Sequence, residues 1–141
     1  MNPTIEKFGY PATLVHEYAH WLVLLRPAQP TLGCLVLTAK SHEVAFGALS
    51  AEAFAELATV TADIERVLVE FVGFEKINYL MLMMVDPHVH FHVIPRYHDE
   101  RTWDGIAFPD AGWPRPPELS AAKALNQSQI HALTRELGKR W

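Results

Sequence analysis

The chain has only one cysteine, Cys34, among its 141 residues. No internal disulfide can form, which excludes a covalently stapled scaffold. Apolar runs of the ~20 residues needed to span a membrane are also missing; the longest, Trp21–Leu25 and Tyr79–Val85, have the length of strands. No basic-then-apolar leader opens MNPTIEKFGY, so the expected location is cytoplasmic, with no membrane partner. Basic residues are in deficit: 12 Lys and Arg face 16 Asp and Glu, a formal charge of -4. A general nucleic-acid binder would show the opposite excess, so a nucleic acid polymer is not the expected partner. A phosphate-bearing small molecule would have to be met by a local positive site. Apolar residues make up 50% of the chain and charged ones 20%, enough for one globular domain over residues 1–141.

Two apolar stretches, HWLVLLR and GCLVLTAK, are separated by Pro27, Pro30 and Gly33, which stop a helix from running through. They predict an antiparallel hairpin. From Ser50, the residues Phe54, Leu57, Val60, Ile64, Val67, Leu68 and Phe71 recur at three- and four-residue spacing. This predicts an amphipathic helix capped by Ser50, stopped at Gly73, with its stripe laid on a sheet. KINYLMLMMV, Lys76 to Val85, reads as a central strand whose methionines fill gaps in the core. After Pro95 the chain becomes rich in proline and tryptophan, reading as an irregular arm over 98–118. Ile130, Leu133 and Leu137 then mark a short terminal helix.

The chemistry concentrates in His88, His90 and His92, which alternate with Val89, Phe91 and Val93. Side chains two apart on a strand share a face, so the three imidazoles should point one way and the apolar residues into the core. A task-free polar face is the bland reading. Metal binding is a second, limited because the alpha carbons of His88 and His92 would lie about 13 Å apart on a straight strand. Stepwise transfer of a phosphorus group is a third. A neutral ring can attack phosphorus while a neighbour binds the charged oxygens, since imidazole titrates near ~6.5.

The string PHVHFHVIPRY resembles the signature of the histidine triad (HIT) family, and Pro95-Arg96 resembles its dinucleoside polyphosphate hydrolase branch. Gly33 leading into LVLTAKSH is similar to another segment of that family, and the resemblance covers roughly residues 12–97. It implies an α+β domain, a five-stranded antiparallel sheet with one long helix on it, and a homodimer; the short C-terminal helix read from its spacing lies outside the matched region. It further implies hydrolysis or transfer of a nucleoside phosphoanhydride or phosphoramidate through a nucleotidyl-histidine. By position, His90 matches the nucleophile, His92 the residue at the phosphate and His88 a supporting residue. No cofactor and no metal is implied.

Asn78, Arg96 and Arg26 are the candidate substrate-binding residues. Asn78 lies near the place of an amide side chain in many members. Arg96 either attracts phosphate or pairs with Asp86, Asp99 or Glu100. Arg26 stands where an acidic or amide residue often meets the ribose hydroxyls, and a guanidinium cannot accept from a diol. Two further departures are Cys34, at a position often held by histidine, and Met83-Met84-Val85-Asp86-Pro87 in place of a Gly-Gln-Ser/Thr-like phosphate segment. The lost phosphate segment and Arg26 favour an alternative function, a nucleotide-binding or sensor protein that turns over little. A metal-binding protein is the second alternative.

Overall fold

The computed structural model describes all of residues 1–141. Its elements are α1 (Pro3–Lys7), β1 (Leu14–Glu17), β2 (Trp21–Leu25), β3 (Ala28–Gln29), β4 (Leu35–Ala39), α2 (Ala51–Val72), β5 (Lys76–Leu80), β6 (His90–Arg96), β7 (Arg101–Trp103), β8 (Ile106–Phe108), β9 (Lys123–Ala124) and α3 (Gln127–Gly138). Five strands form an antiparallel sheet in the order β1-β2-β4-β6-β5.

Every residue of β2 and β4 is buried because both faces of the sheet are covered. Alternation then divides their side chains between two layers. Trp21, Val23, Leu25, Leu35 and Leu37 join Val60, Ile64, Val67 and Leu68 of α2 in the main core. On the opposite face Leu22, Leu24 and Val36 pack with Ile5 of α1.

The long helix has the limits its sequence predicts. Ser50 accepts from the Ala53 N–H, and Gly73 ends the helix in the left-handed region, with φ 58°. Phe54 departs from the expected stripe: it is 38% exposed and meets Phe46 edge-on at 5.2 Å. At the other end of the chain, α3 has a reciprocal cap between Asn126 and Gln129 and packs on β1 and β2.

Two expectations fail. KINYLMLMMV does not form a central strand, because β5 stops at Leu80 and lies at the edge of the sheet. Of its methionines, Met81 does pack against the core, but Met84 is 81% exposed, beside Val85 at 83%. Hydrophobicity alone cannot distinguish a run buried on both faces from an edge strand followed by an exposed loop. The arm is also not wholly irregular. β7 and β8 form a hairpin around Asp104 and Gly105, with φ of 52° and 71°. Asp-Gly is the sequence signal for such a two-residue turn, and it was available in the chain.

Candidate functional site

β6 carries the alternation that defines the site. Val93 and the preceding Val89 belong to the core on the α2 side, while His90 and His92 emerge on the opposite face, beside Thr38 and Val36 of β4. Their ring centroids are 5.2 Å apart and nearly perpendicular. The strand begins at His90, so His88 lies outside it, in the preceding bend, rather than in a three-residue row on one strand. The Val89 N–H bonds to the Glu43 carbonyl at 3.3 Å, outside β4, so the regular pairing starts only at His90.

His88 still contributes through its backbone. Its carbonyl oxygen is 2.7 Å from His90 Nδ1. A carbonyl only accepts, so Nδ1 carries the proton and Nε2 is left with the lone pair. That Nε2 is buried without a hydrogen-bond partner, as is Nδ1 of His92. Two adjacent orphan ring nitrogens are costly unless a ligand or water engages them. Burial, then the positive charge of Arg26 and the neighbouring His90, hold the His92 imidazole down to about 4. It is therefore a neutral ring at pH 7.

The face is covered by the N-terminal segment. Asn2 caps α1, and its Nδ2 donates to the carbonyls of Ser41 at 2.8 Å and Ala39 at 3.3 Å. Thr4 Oγ1 lies 2.8 Å from His88 Nδ1, and Lys7 pairs with Asp86 at 2.7 Å. These contacts bring the Phe8 ring to 5.6 Å from that of His90 and 5.7 Å from that of His92. His90 has no exposed surface and His92 only 8%. Access to His90 Nε2 requires movement of its cover, and Phe8 touches both rings.

Arg26 follows β2 on the histidine face. Its backbone N–H bonds to the Cys34 carbonyl at 3.1 Å, continuing the ladder, and its guanidinium donates to the carbonyl of Ala28. Its Nε is buried and unpartnered, and no carboxylate pairs with it. Burial lowers its pKa. The neighbouring Cys34 is wholly buried, which pushes its thiol up to about 11 and suits the structural role expected for it.

Arg96 is engaged elsewhere. It forms a two-pronged pair with Asp110, Nε to Oδ2 at 2.7 Å and Nη2 to Oδ1 at 3.0 Å, and also donates to Asn78 Oδ1 at 2.8 Å and the Arg115 carbonyl at 2.7 Å. None of the three expected acids, Asp86, Asp99 or Glu100, is its partner. The structure thus brings Asn78 and Arg96 together, but as a clasp between the sheet and the arm. Beside them lies a cavity of about 600 Å³ lined by Lys76, Asn78, Leu80, Arg96, Trp113 and Arg115. Lys40 pairs with Glu17 at 2.7 Å, whereas the His42 ring approaches that of His88 to 6.2 Å. No group of three or more His, Cys, Asp or Glu side chains converges as a metal site would need.

Sequence reasoning missed Thr4, Phe8 and Asp110. Asn2-Pro3 was a usable helix-start signal for the element that carries Thr4. Nothing in the sequence announces that Phe8 meets the triad or that Asp110 closes on Arg96.

No family model and no curated protein matches the chain. Solved structures do. A histidine triad protein from Bradyrhizobium japonicum superposes with TM-score 0.69 at 19% identity, covering 100% of this chain and 97% of that one. A histidine triad protein from Sinorhizobium meliloti gives 0.68 at 19%, covering 100% and 96%. A hypothetical histidine triad nucleotide-binding protein from Sulfolobus tokodaii gives 0.67 at 20%, covering 97% and 88%. With its five-stranded sheet, long helix and short terminal helix, the chain has the histidine triad fold.

Proposed function

We propose that the chain is a HIT-type hydrolase or transferase that cleaves a nucleoside phosphoanhydride or phosphoramidate through a nucleotidyl adduct on His90. The observation that carries this reading is the hydrogen bond from His90 Nδ1 to the His88 carbonyl, which leaves Nε2 as the nucleophilic atom. In the first step the Nε2 lone pair forms a bond to phosphorus. The bond from phosphorus to the leaving oxygen or nitrogen breaks, and the pair departs with that atom, which takes a proton from water. The ring, now substituted on Nε2 and protonated on Nδ1, is cationic, and its bond to the His88 carbonyl strengthens as the charge develops. Water then attacks phosphorus, the N–P bond breaks, a proton is released and neutral His90 returns.

His92 meets the phosphate as a neutral hydrogen-bonding ring, and His88 is a positioning residue held by Thr4. Asn78 and Arg26 border the substrate; Arg96 places Asn78 through their mutual hydrogen bond. Phe8 has to swing aside for the phosphorus to reach Nε2. Pro95-Arg96 supports placement in the dinucleoside polyphosphate hydrolase branch. A cytoplasmic homodimer is part of the same reading. The homodimer is supported by the free edge of β5 and by Val69, Met84 and Val85, all more than half exposed.

A panel of dinucleoside polyphosphates, amine phosphoramidates and adenylyl sulfate, assayed with His90→Ala and His90→Asn controls, tests the hydrolase. Turnover confined to the unaltered protein supports it; turnover that survives both substitutions overturns it. A binding or sensor protein with little turnover is the second reading. The seal over His90 and the exposed apolar loop of Leu82, Met84 and Val85 favour it. Calorimetry showing tight nucleotide binding without product would select that reading.

A further inference from the structure

The uncompensated cation on the histidine face is Arg26. Pairing in the sheet sets Leu24 beside Val36 and Val36 beside His92. Two residues beyond Leu24, Arg26 keeps to the same face, one row further from His90 than His92 is. The order along the face is therefore His90, His92, Arg26.

Arg26 donates one side-chain hydrogen bond, to the Ala28 carbonyl, and its Nε is buried with no acceptor. A guanidinium offers five N–H donors in a planar fork and accepts nothing. Buried arginine is ordinarily paired, as Arg96 is with Asp110 in this same molecule, where the two side chains are 4% and 1% exposed. Arg26 has no such acid, yet it remains part-exposed on the side that a ligand at His92 would approach. Its charge is also felt at His92, where it opposes protonation.

We propose that Arg26 forms a second oxyanion subsite, so that the substrate carries a further phosphate or carboxylate in addition to the phosphorus attacked by His90. Arg26 lies one row beyond His92 and two strands across from it, which separates their alpha carbons by roughly 12 Å and those of Arg26 and His90 by roughly 16 Å. That separation suits an anion borne elsewhere on the same molecule, such as on its sugar. An unmodified ribose diol would leave the Arg26 donors without a full acceptor, whereas a phosphate or carboxylate can accept two parallel N–H bonds. This inference rests on the nucleotide reading of the site and narrows it to doubly anionic substrates.

Calorimetry at fixed ionic strength tests it with three probes: adenosine 5'-monophosphate, adenosine 2',5'-bisphosphate and adenosine 3',5'-bisphosphate. With the unaltered protein, at least one bisphosphate should bind on the order of tenfold more tightly than the monophosphate. That advantage should fall below about threefold in Arg26→Gln and be kept only in part in Arg26→Lys, which retains the charge but not the two-pronged fork. Thermal melting of both variants shows that they are folded. Equal binding of mono- and bisphosphates overturns the subsite and leaves the nucleotide reading standing. An advantage that persists in Arg26→Gln does the same. Failure of all three probes to bind the unaltered protein overturns both.

Discussion

His90 Nδ1 lies 2.7 Å from the carbonyl oxygen of His88, so the backbone of one histidine selects the tautomer of the next. This relationship survives although His88 is outside β6, because it needs the carbonyl of His88 and not its ring. Nitrogen-15 NMR of the free protein should show His90 protonated at Nδ1 and unprotonated at Nε2 at pH 8. A ring protonated at Nε2 instead would remove the proposed nucleophile.

The neutrality of His92 has a consequence for stability. Its folded pKa, about 4, is below the ordinary value of 6.5, so between these limits the unfolded chain binds more protons than the folded one. Stability then rises with pH across that window. The contribution of the neutral ring is complete above 6.5 and is lost as pH falls toward 4, at no more than about 1.4 kcal/mol per pH unit for one proton. His92→Asn should flatten the dependence of urea midpoint on pH between 4 and 6.5 relative to the unaltered protein. Parallel curves would show that His92 is not held neutral by the fold.

Arg96 and Asp110 are a buried pair that joins β6 to the arm. Replacing Asp110 by Asn leaves a buried guanidinium short of its counter-charge and should destabilise the fold by about 3–5 kcal/mol in denaturant unfolding. A loss below 1 kcal/mol would show that water already reaches the pair.

Gly33 takes φ 94°, and a Cβ there would sit 3.2 Å from Leu68 Cδ2. Gly33→Ala combines backbone strain with crowding against α2 and should cost about 1–3 kcal/mol, read from the thermal midpoint. An unchanged midpoint would mean that the turn relaxes freely.

Phe8, at the end of α1, packs over the buried His90 ring. Diethyl pyrocarbonate should modify His90 more slowly than the exposed His98, and Phe8→Ala should speed modification of His90 by roughly tenfold, the effect of about 1.4 kcal/mol on the opening equilibrium. Peptide mass mapping reads the two sites separately. An unchanged rate at His90 would place the barrier elsewhere.

Much of the scaffold was legible because its signals are local. Ser50 and Gly73 mark the ends of α2, the prolines and Gly33 separate β2 from β4, and the spacing of Ile130, Leu133 and Leu137 announces α3. The alternation around the triad placed His90 and His92 on the face opposite Val89 and Val93. What escaped was set by tertiary contact. Met81 still packs on the core, but Leu82, Met84 and Val85 follow an edge strand with no further strand beyond it to cover them. Likewise, Arg96 meets Asp110 across fourteen positions because the arm folds back, and Phe8 reaches the triad because Asn2, Thr4 and Lys7 tie α1 down.

The measurement that bears most directly on the account is intact and peptide mass spectrometry of the protein quenched at neutral pH during turnover of an adenosine phosphoramidate. The account predicts an adenylyl increment localised to His90 and absent from His90→Asn. Turnover without any such adduct, or an adduct confined to another residue, would contradict it.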